Sequence, residues 1–245
     1  MVMDTTKTQE QWLKEMEEKS RAKQKNFIGN ITSRLKRPMV AEAPKHPYRG
    51  SPDFWNAFEW NEQERIDKFT ENFISVGGHV ERFRTMDEVR GFIADKAKEL
   101  SAKYVIRQNQ RELEALNLEQ DLPEARVSVW NSDEDENWKA RSAEADIGVV
   151  LVDHAAAYTS SMVVLSSKDK GRSVSLLPTV LMAIIPVERI RTRLGEVLGR
   201  FDEAGRESLP AGIHFISGPS RSSDIENDLT IGVHGPGVVY AIIVG

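Results

Sequence analysis

Hydrophobic positions follow a helical rhythm at the start of the chain and a strand rhythm through most of the rest. Between residues 7 and 36, Trp12 and Met16 and then Phe27, Ile28, Ile31 and Leu35 recur at helical spacing, which predicts one or two amphipathic helices with Gly29 as the point of interruption. Pro38, Pro44, Pro47 and Pro52 follow closely and predict an extended linker. Phe54, Trp55 and Phe58 at its end read as an anchor onto the domain beyond. From residue 59 the two patterns alternate: helices over 59–75, 86–100 and 110–116, strands over 79–83, 104–107 and 126–130, and a helix over 134–145 with Asp133 as its cap. Short, nearly unbroken apolar runs then fall at 147–152, 162–165, 180–185, 213–216 and 238–244. Such runs suit strands buried on both faces of a parallel or mixed sheet. A helix over 187–204, opened by Pro186 and carrying Ile190, Leu194, Val197, Leu198 and Phe201 on one face, is the natural crossover.

Composition narrows the class. With 245 residues and 40% hydrophobic content, the chain is long enough for one large domain or two modest ones, and its apolar runs are too short to span a membrane. Its first twenty residues are polar and charged, so no secretory leader is expected and the cytoplasm is the expected location. The sequence contains no cysteine, which excludes disulfides, a thiolate nucleophile, thiolate-held zinc and any iron–sulfur cluster bound by this chain's own sulfur. Net charge is −5, yet Lys19 to Arg37 holds seven Lys or Arg and no acid, while residues 51–245 carry 22 Lys or Arg against 32 Asp or Glu. A basic arm on an acidic body argues against nucleic acid as the main partner, because only Trp12 and Phe27 are aromatic in the arm and no recognised module surrounds it. It leaves open a solvated helix face or docking on a partner subunit.

Two stretches carry candidate chemistry. Residues 218–237, GPSRSSDIENDLTIGVHGPG, set Gly-Pro pairs around a hydroxyl-rich loop and a lone His234 between two apolar runs. Glycine permits close backbone approach and proline fixes φ, so these are shaped loops on a sheet, where binding commonly sits. Residues 170–178, KGRSVSLLP, offer a guanidinium and hydroxyls suited to a carboxylate or phosphate. Plainer readings stand beside these: a charged hairpin turn at 170–178, a serine cap with an Arg221–Asp224 ion pair, and a histidine that only satisfies loop carbonyls. Asp153 and His154, just past an apolar run, sit where ligands bind in open α/β sheets, but neighbours in sequence need not form a dyad. The sequence shows no GxGxxG, GxxxxGK[ST] or GxSxG signature and no paired-histidine metal spacing among His46, His79, His154, His214 and His234. No metal site and no catalytic residue is assigned.

In this order, KGRSVSLLP, a buried strand ending in Pro186, ISGPSRSSDIE, GVHGP and a terminal hydrophobic strand, the sequence resembles the lactate-utilisation protein C family, also called the LUD domain. The resemblance covers 143–245, with weaker similarity back to about residue 53. It implies a three-layer α/β fold with a mixed, mostly parallel sheet, similar to the sugar-phosphate isomerase and CoA-transferase superfamily, preceded by a helical extension. The domains expected are a basic helical arm and proline-rich linker over 1–58 and a LUD-like domain over 59–245. The resemblance further implies a bacterial L-lactate-oxidising system in which two cysteine-rich partner proteins carry the iron–sulfur clusters. This chain, with no cofactor of its own, is expected to be a non-redox accessory subunit that binds a small anion. Tyr158 stands where family members commonly carry an acid, so no covalent carboxylate step transfers to this chain. The ligand is expected among Arg172, Ser173, Ser175, Gly218, Ser220, Arg221, Asp224, His234 and Gly235. A free-standing enzyme or binding protein for a phosphorylated or CoA-linked metabolite is the alternative. The linker leaves open whether the arm packs on its own domain or swaps within a homo-oligomer.

Overall fold

The computed structural model describes residues 9–39, 58–223 and 229–245, and divides into two compact units, Met1–Ala57 and Phe58–Gly245. In the first, one helix, α1 (Gln9–Arg34), runs unbroken through Gly29; an interior glycine costs a helix only about 1 kcal/mol. Phe54 and Trp55 lie outside the described residues.

The second unit opens with α2 (Glu62–Ser75), started by a capping box in which the Asn61 side chain accepts from the Glu64 amide at 3.0 Å and the Glu64 carboxylate accepts from the Asn61 amide at 2.8 Å. There follow β1 (His79–Phe83), α3 (Met86–Glu99), β2 (Tyr104–Arg107), α4 (Arg111–Glu114), α5 (Leu118–Asp121), β3 (Arg126–Val129), α6 (Trp138–Glu144), β4 (Ile147–Leu151), β5 (His154–Ala156) and β6 (Ser161–Ser166). The chain continues through α7 (Ser173–Leu176), β7 (Val180–Pro186), β8 (Ile190–Arg191), α8 (Leu194–Ala204), β9 (Gly212–Ile216), β10 (Arg221–Ser223), β11 (Leu229–Ile231) and β12 (Val238–Val244).

Six strands form a wholly parallel sheet in the order β1-β12-β7-β4-β2-β3. Its central strands are apolar throughout because alternate residues serve two cores. Val180, Met182 and Ile184 of β7, with Tyr240, Ile242 and Val244 of β12, pack against α3, α4 and α5. Leu181, Ala183 and Ile185, with Val239, Ala241 and Ile243, pack against α2, α7 and a second sheet. That second sheet, β8-β5-β6-β9, is antiparallel except between β5 and β8. The result is a mixed α/β fold in three layers.

Several local expectations change. The apolar runs at 162–165 and 213–216 become β6 and β9 of the second sheet rather than strands of the main one; an apolar run records burial, not the pairing partner. The expected helix over 187–204 starts only at Leu194, where the Glu196 carboxylate accepts from the Arg193 amide at 3.0 Å. Ahead of it, Val187–Arg189 forms a 3-10 turn and Ile190–Arg191 pairs beside β5. Ile190 is therefore buried in the second sheet, and Leu198 is exposed. The expected helix over 134–145 starts at Trp138, capped by the Asn137 side chain, while the Asp133 carboxylate accepts from the Asp135 amide in the preceding turn. Residues 170–178 form neither a hairpin nor an open loop but the single turn of α7.

That turn lies directly on β4. A Cβ placed on Gly148 would meet the Val174 carbonyl oxygen at 2.1 Å and the Pro178 ring at 2.9 Å, so only glycine lets the backbone of α7 reach the sheet. Gly148→Ala is expected to destabilise the protein by about 3 kcal/mol through overpacking, measured as a lower denaturant midpoint at unchanged slope.

Candidate functional site

The α7 turn is the return path from the second sheet to the start of β7, and it crosses the main sheet from its carboxyl edge to its amino edge. A different concavity opens at each end.

At the carboxyl edge, residues 167–171 form a strap over three strand ends. The Trp130 indole, just past β3, donates to the Lys168 carbonyl at 3.0 Å. The Asn109 amide, past β2, donates to the Asp169 carbonyl at 2.9 Å, and Lys170 Nζ donates to Asp153 Oδ1, past β4, at 2.6 Å. Asp153 Oδ2 accepts from the Leu165 amide at 2.8 Å, so both of its oxygens serve the strap and β6, and no dyad with His154 forms. His154 instead stands edge-on to Phe201, with ring centroids 6.1 Å apart. Beside the strap lies a depression of about 230 Å³ lined by Ser166, Ser167, Lys170, Gly171, Arg172, Ala211, Gly212 and His214.

Within it, Ser166 Oγ and His214 Nε2 share a hydrogen bond of 2.8 Å. A Cβ on Gly212 would come within 2.8 Å of that ring nitrogen, so the backbone there fits closely against the imidazole. Burial holds the His214 pKa below its ordinary value, and the Arg172 guanidinium adds to the effect. The Arg172 guanidinium, a Lys170 ammonium already paired with Asp153, two hydroxyls and an imidazole of lowered pKa surround so small a space, a set that suits a small anion.

At the amino edge, the Gly237 amide donates to the Thr179 carbonyl at 3.0 Å, immediately before β7 and β12 begin. A concavity of about 580 Å³ there is lined by Leu176, Leu177, Thr179, Ile231, Gly232, Val233, His234, Gly235 and Gly237. A Cβ on Gly235 would lie 3.3 Å from Ser220 Cβ and 3.6 Å from the Leu176 carbonyl, so the two Gly-Pro loops and the end of α7 converge. Gly232 holds φ +78° opposite Gly237, a conformation that favours glycine.

A model of the LUD domain matches residues 66–244. The chain belongs to the LUD domain family. It is 34% identical over 217 residues to "Lactate utilization protein C" of Halalkalibacterium halodurans, covering 87% of this chain and 94% of that protein. It is 41% identical over 124 residues to the protein of the same name from Bacillus subtilis, covering 49% of this chain and 51% of that one. Among solved structures, a DUF162 family protein from Deinococcus radiodurans aligns with a TM-score of 0.57 and 19% identity over 76% of this chain and 99% of that one, a likeness of fold.

Within this LUD domain the residues singled out in sequence separate. Arg172 lines the carboxyl-edge depression, whereas His234 and Gly235 line the amino-edge concavity, so one mouth does not gather them. The physical reason is the path of α7, which carries the segment across the sheet between them. Ser173 and Ser175 are buried; the first accepts from Ser142 Oγ at 3.2 Å and the second donates to the Arg172 carbonyl at 3.0 Å. Arg221 donates to the Val76 carbonyl at the end of α2, and Gly218 packs on the Val76 side chain. The Ser220 amide donates to the Pro236 carbonyl at 2.9 Å, tying the two loops together. Asp224 lies outside the described residues. Tyr158 stacks with Phe58 and Trp60 at centroid distances of 5.5 and 6.2 Å, so this position joins an aromatic cluster that receives the start of the domain. Ser166, Lys170 and His214 were not marked for the site: His214 sits inside an apolar run, and Lys170 read as part of a turn.

The depressed His214 pKa carries a sign. Its stability contribution is complete above the unfolded value of about 6.5 and is lost as pH falls toward the lower folded value, because the unfolded chain then binds the proton more readily. Arg172→Ala removes the neighbouring positive charge and is expected to move the His214 proton-NMR titration midpoint upward. An unchanged midpoint would show that the guanidinium does not act on this ring.

Proposed function

We propose that this LUD-domain protein works in L-lactate utilisation as an accessory component without a redox centre of its own, and binds a small carboxylate in the depression beside the strap. The observation that carries the ligand reading is the meeting of Lys170 and Arg172 with Ser166 and His214 around one small space. Arg172 supplies the planar fork of donors that carries the charge, Lys170, held by Asp153, lends a further N–H, and the imidazole, held neutral, can share a proton with an oxygen of the ligand. The relatives named for lactate utilisation support the physiological reading. Because the sequence has no cysteine, electron transfer through thiolate-held clusters would fall to separate iron–sulfur proteins, with which this chain is proposed to act. Among the described residues no helix is long and apolar enough to cross a membrane.

Calorimetric titration of the full chain with L-lactate and pyruvate tests the ligand reading. Arg172→Ala is expected to weaken binding about tenfold, the loss of one charge-assisted hydrogen bond, and His234→Ala to leave it unchanged. Loss of binding in His234→Ala with Arg172→Ala unaffected would move the site to the amino edge. Growth on L-lactate after deletion of the gene tests the physiological role: abolished growth is expected, and normal growth would overturn it.

A further inference from the structure

The order of the main sheet contains a switch. From β2 the chain moves outward to β3, and from β4 it moves the other way to β7, yet β2 and β4 are neighbours. In open parallel sheets the crevice outside the carboxyl ends of two such strands is where ligands bind, because the departing connections leave a gap there. In this protein the gap is roofed by the strap at 167–171, through its bonds to Asn109 and Asp153.

Gln108 is the residue directly past β2 at this switch point. Its amide N–H donates to the Val149 carbonyl at 3.2 Å and so closes β2 onto β4. Its side chain is fully buried, and neither its carboxamide oxygen nor its nitrogen has a hydrogen-bond partner among the described residues. Each such orphaned group is costly to bury, whereas an apolar side chain of the same shape would cost nothing comparable. On either side of it, Arg107 is only 5% exposed, with Nε unpartnered, and Gln110 Oε1 is likewise buried without a partner. The Arg107 guanidinium turns toward α5, where it lies 3.6 Å from the Glu119 carboxylate, and its Nη1 donates to the Gln108 carbonyl at 3.3 Å. A buried carboxamide with both functions unused therefore stands at the switch point, on the sheet face opposite the Arg107 side chain.

We propose that this crevice is the inner end of the ligand site and that Gln108 is its specificity-determining residue, reading an oxygen on the carbon next to the ligand's carboxylate. The inference rests on the carboxylate-binding reading above. A carboxamide can both donate to a keto oxygen and accept from a hydroxyl, so one residue serves 2-oxo and 2-hydroxy acids alike. Lys170, at the strap's edge, belongs to both the crevice roof and the outer depression. A carboxylate of equal size lacking that oxygen leaves the carboxamide unpartnered and is bound more weakly.

The test compares L-lactate, pyruvate and propionate as ligands of the full chain by thermal shift and calorimetry. Wild type is expected to bind L-lactate and pyruvate at least tenfold more tightly than propionate. Gln108→Leu is expected to raise the melting temperature of the unliganded protein and to bring the three ligands to within about twofold of one another. Gln108→Met serves if leucine does not fold, and the wild-type comparison needs no variant. Arg172→Ala is expected to weaken all three ligands together and to keep their ranking. Equal wild-type affinity for lactate and propionate overturns the role of Gln108 while leaving the carboxylate site standing, as does a leucine variant that still prefers lactate, which would give the carboxamide a structural water instead. Absence of binding by any of the three overturns both readings.

Discussion

The contact between the α7 backbone and Gly148 governs the layout of this protein. A carbonyl oxygen that would stand 2.1 Å from a Cβ can be accommodated only where there is none, so α7 lies flush on β4 instead of riding above it as a longer crossover helix would. A single turn then suffices to carry the chain from the carboxyl edge of the sheet to its amino edge. Both concavities follow from that short crossing: one where the strap arrives, the other where α7 hands over to β7 and meets the glycine loops. Trp130 plays the matching role on the incoming side, since its ring lies where a side chain on Gly171 would be.

The strap illustrates how a loop without regular structure is made specific. Each of its three anchors belongs to a different strand end, and each uses a group otherwise left unsatisfied at that end: an indole N–H, a backbone amide and a carboxylate. Buried polar groups at strand ends must find partners or remain costly, and here the strap supplies them for β3, β2 and β4 together. Gln108, directly past β2, is the group it does not satisfy.

Electrostatics at the depression run against the sign of the domain as a whole. Residues 51–245 are acidic on balance, yet Lys170 and Arg172 lie together in one small space. At physiological salt, fields from exposed charges fade over about 8 Å, and Lys170 is balanced by Asp153, so Arg172 decides what is held there, while the net charge governs solubility and long-range encounter. Burial holds the His214 pKa low, and the neighbouring Arg172 charge adds to that.

Periodicity alone located β1, β2 and β12 to the residue, since each is bounded by turn formers and filled with residues whose burial is a local matter. Absence of cysteine decided, without any coordinates, which redox chemistry this chain cannot perform by itself. The motif around Arg172 was also visible, as a guanidinium in a small-residue turn. What the sequence did not reveal were β5 and β8, which are three and two residues long and too short to carry a period, and the allocation of β6 and β9 to a second sheet. Nor did it reveal that Arg172 would join His214 and Lys170 rather than His234. That choice depends on the absent side chain at Gly148 and on strand order, which bring together residues distant in sequence. Hydrophobic patterning is set by each residue's own burial and so is written locally; a site is set by which strands lie side by side, and only the assembled sheet specifies that.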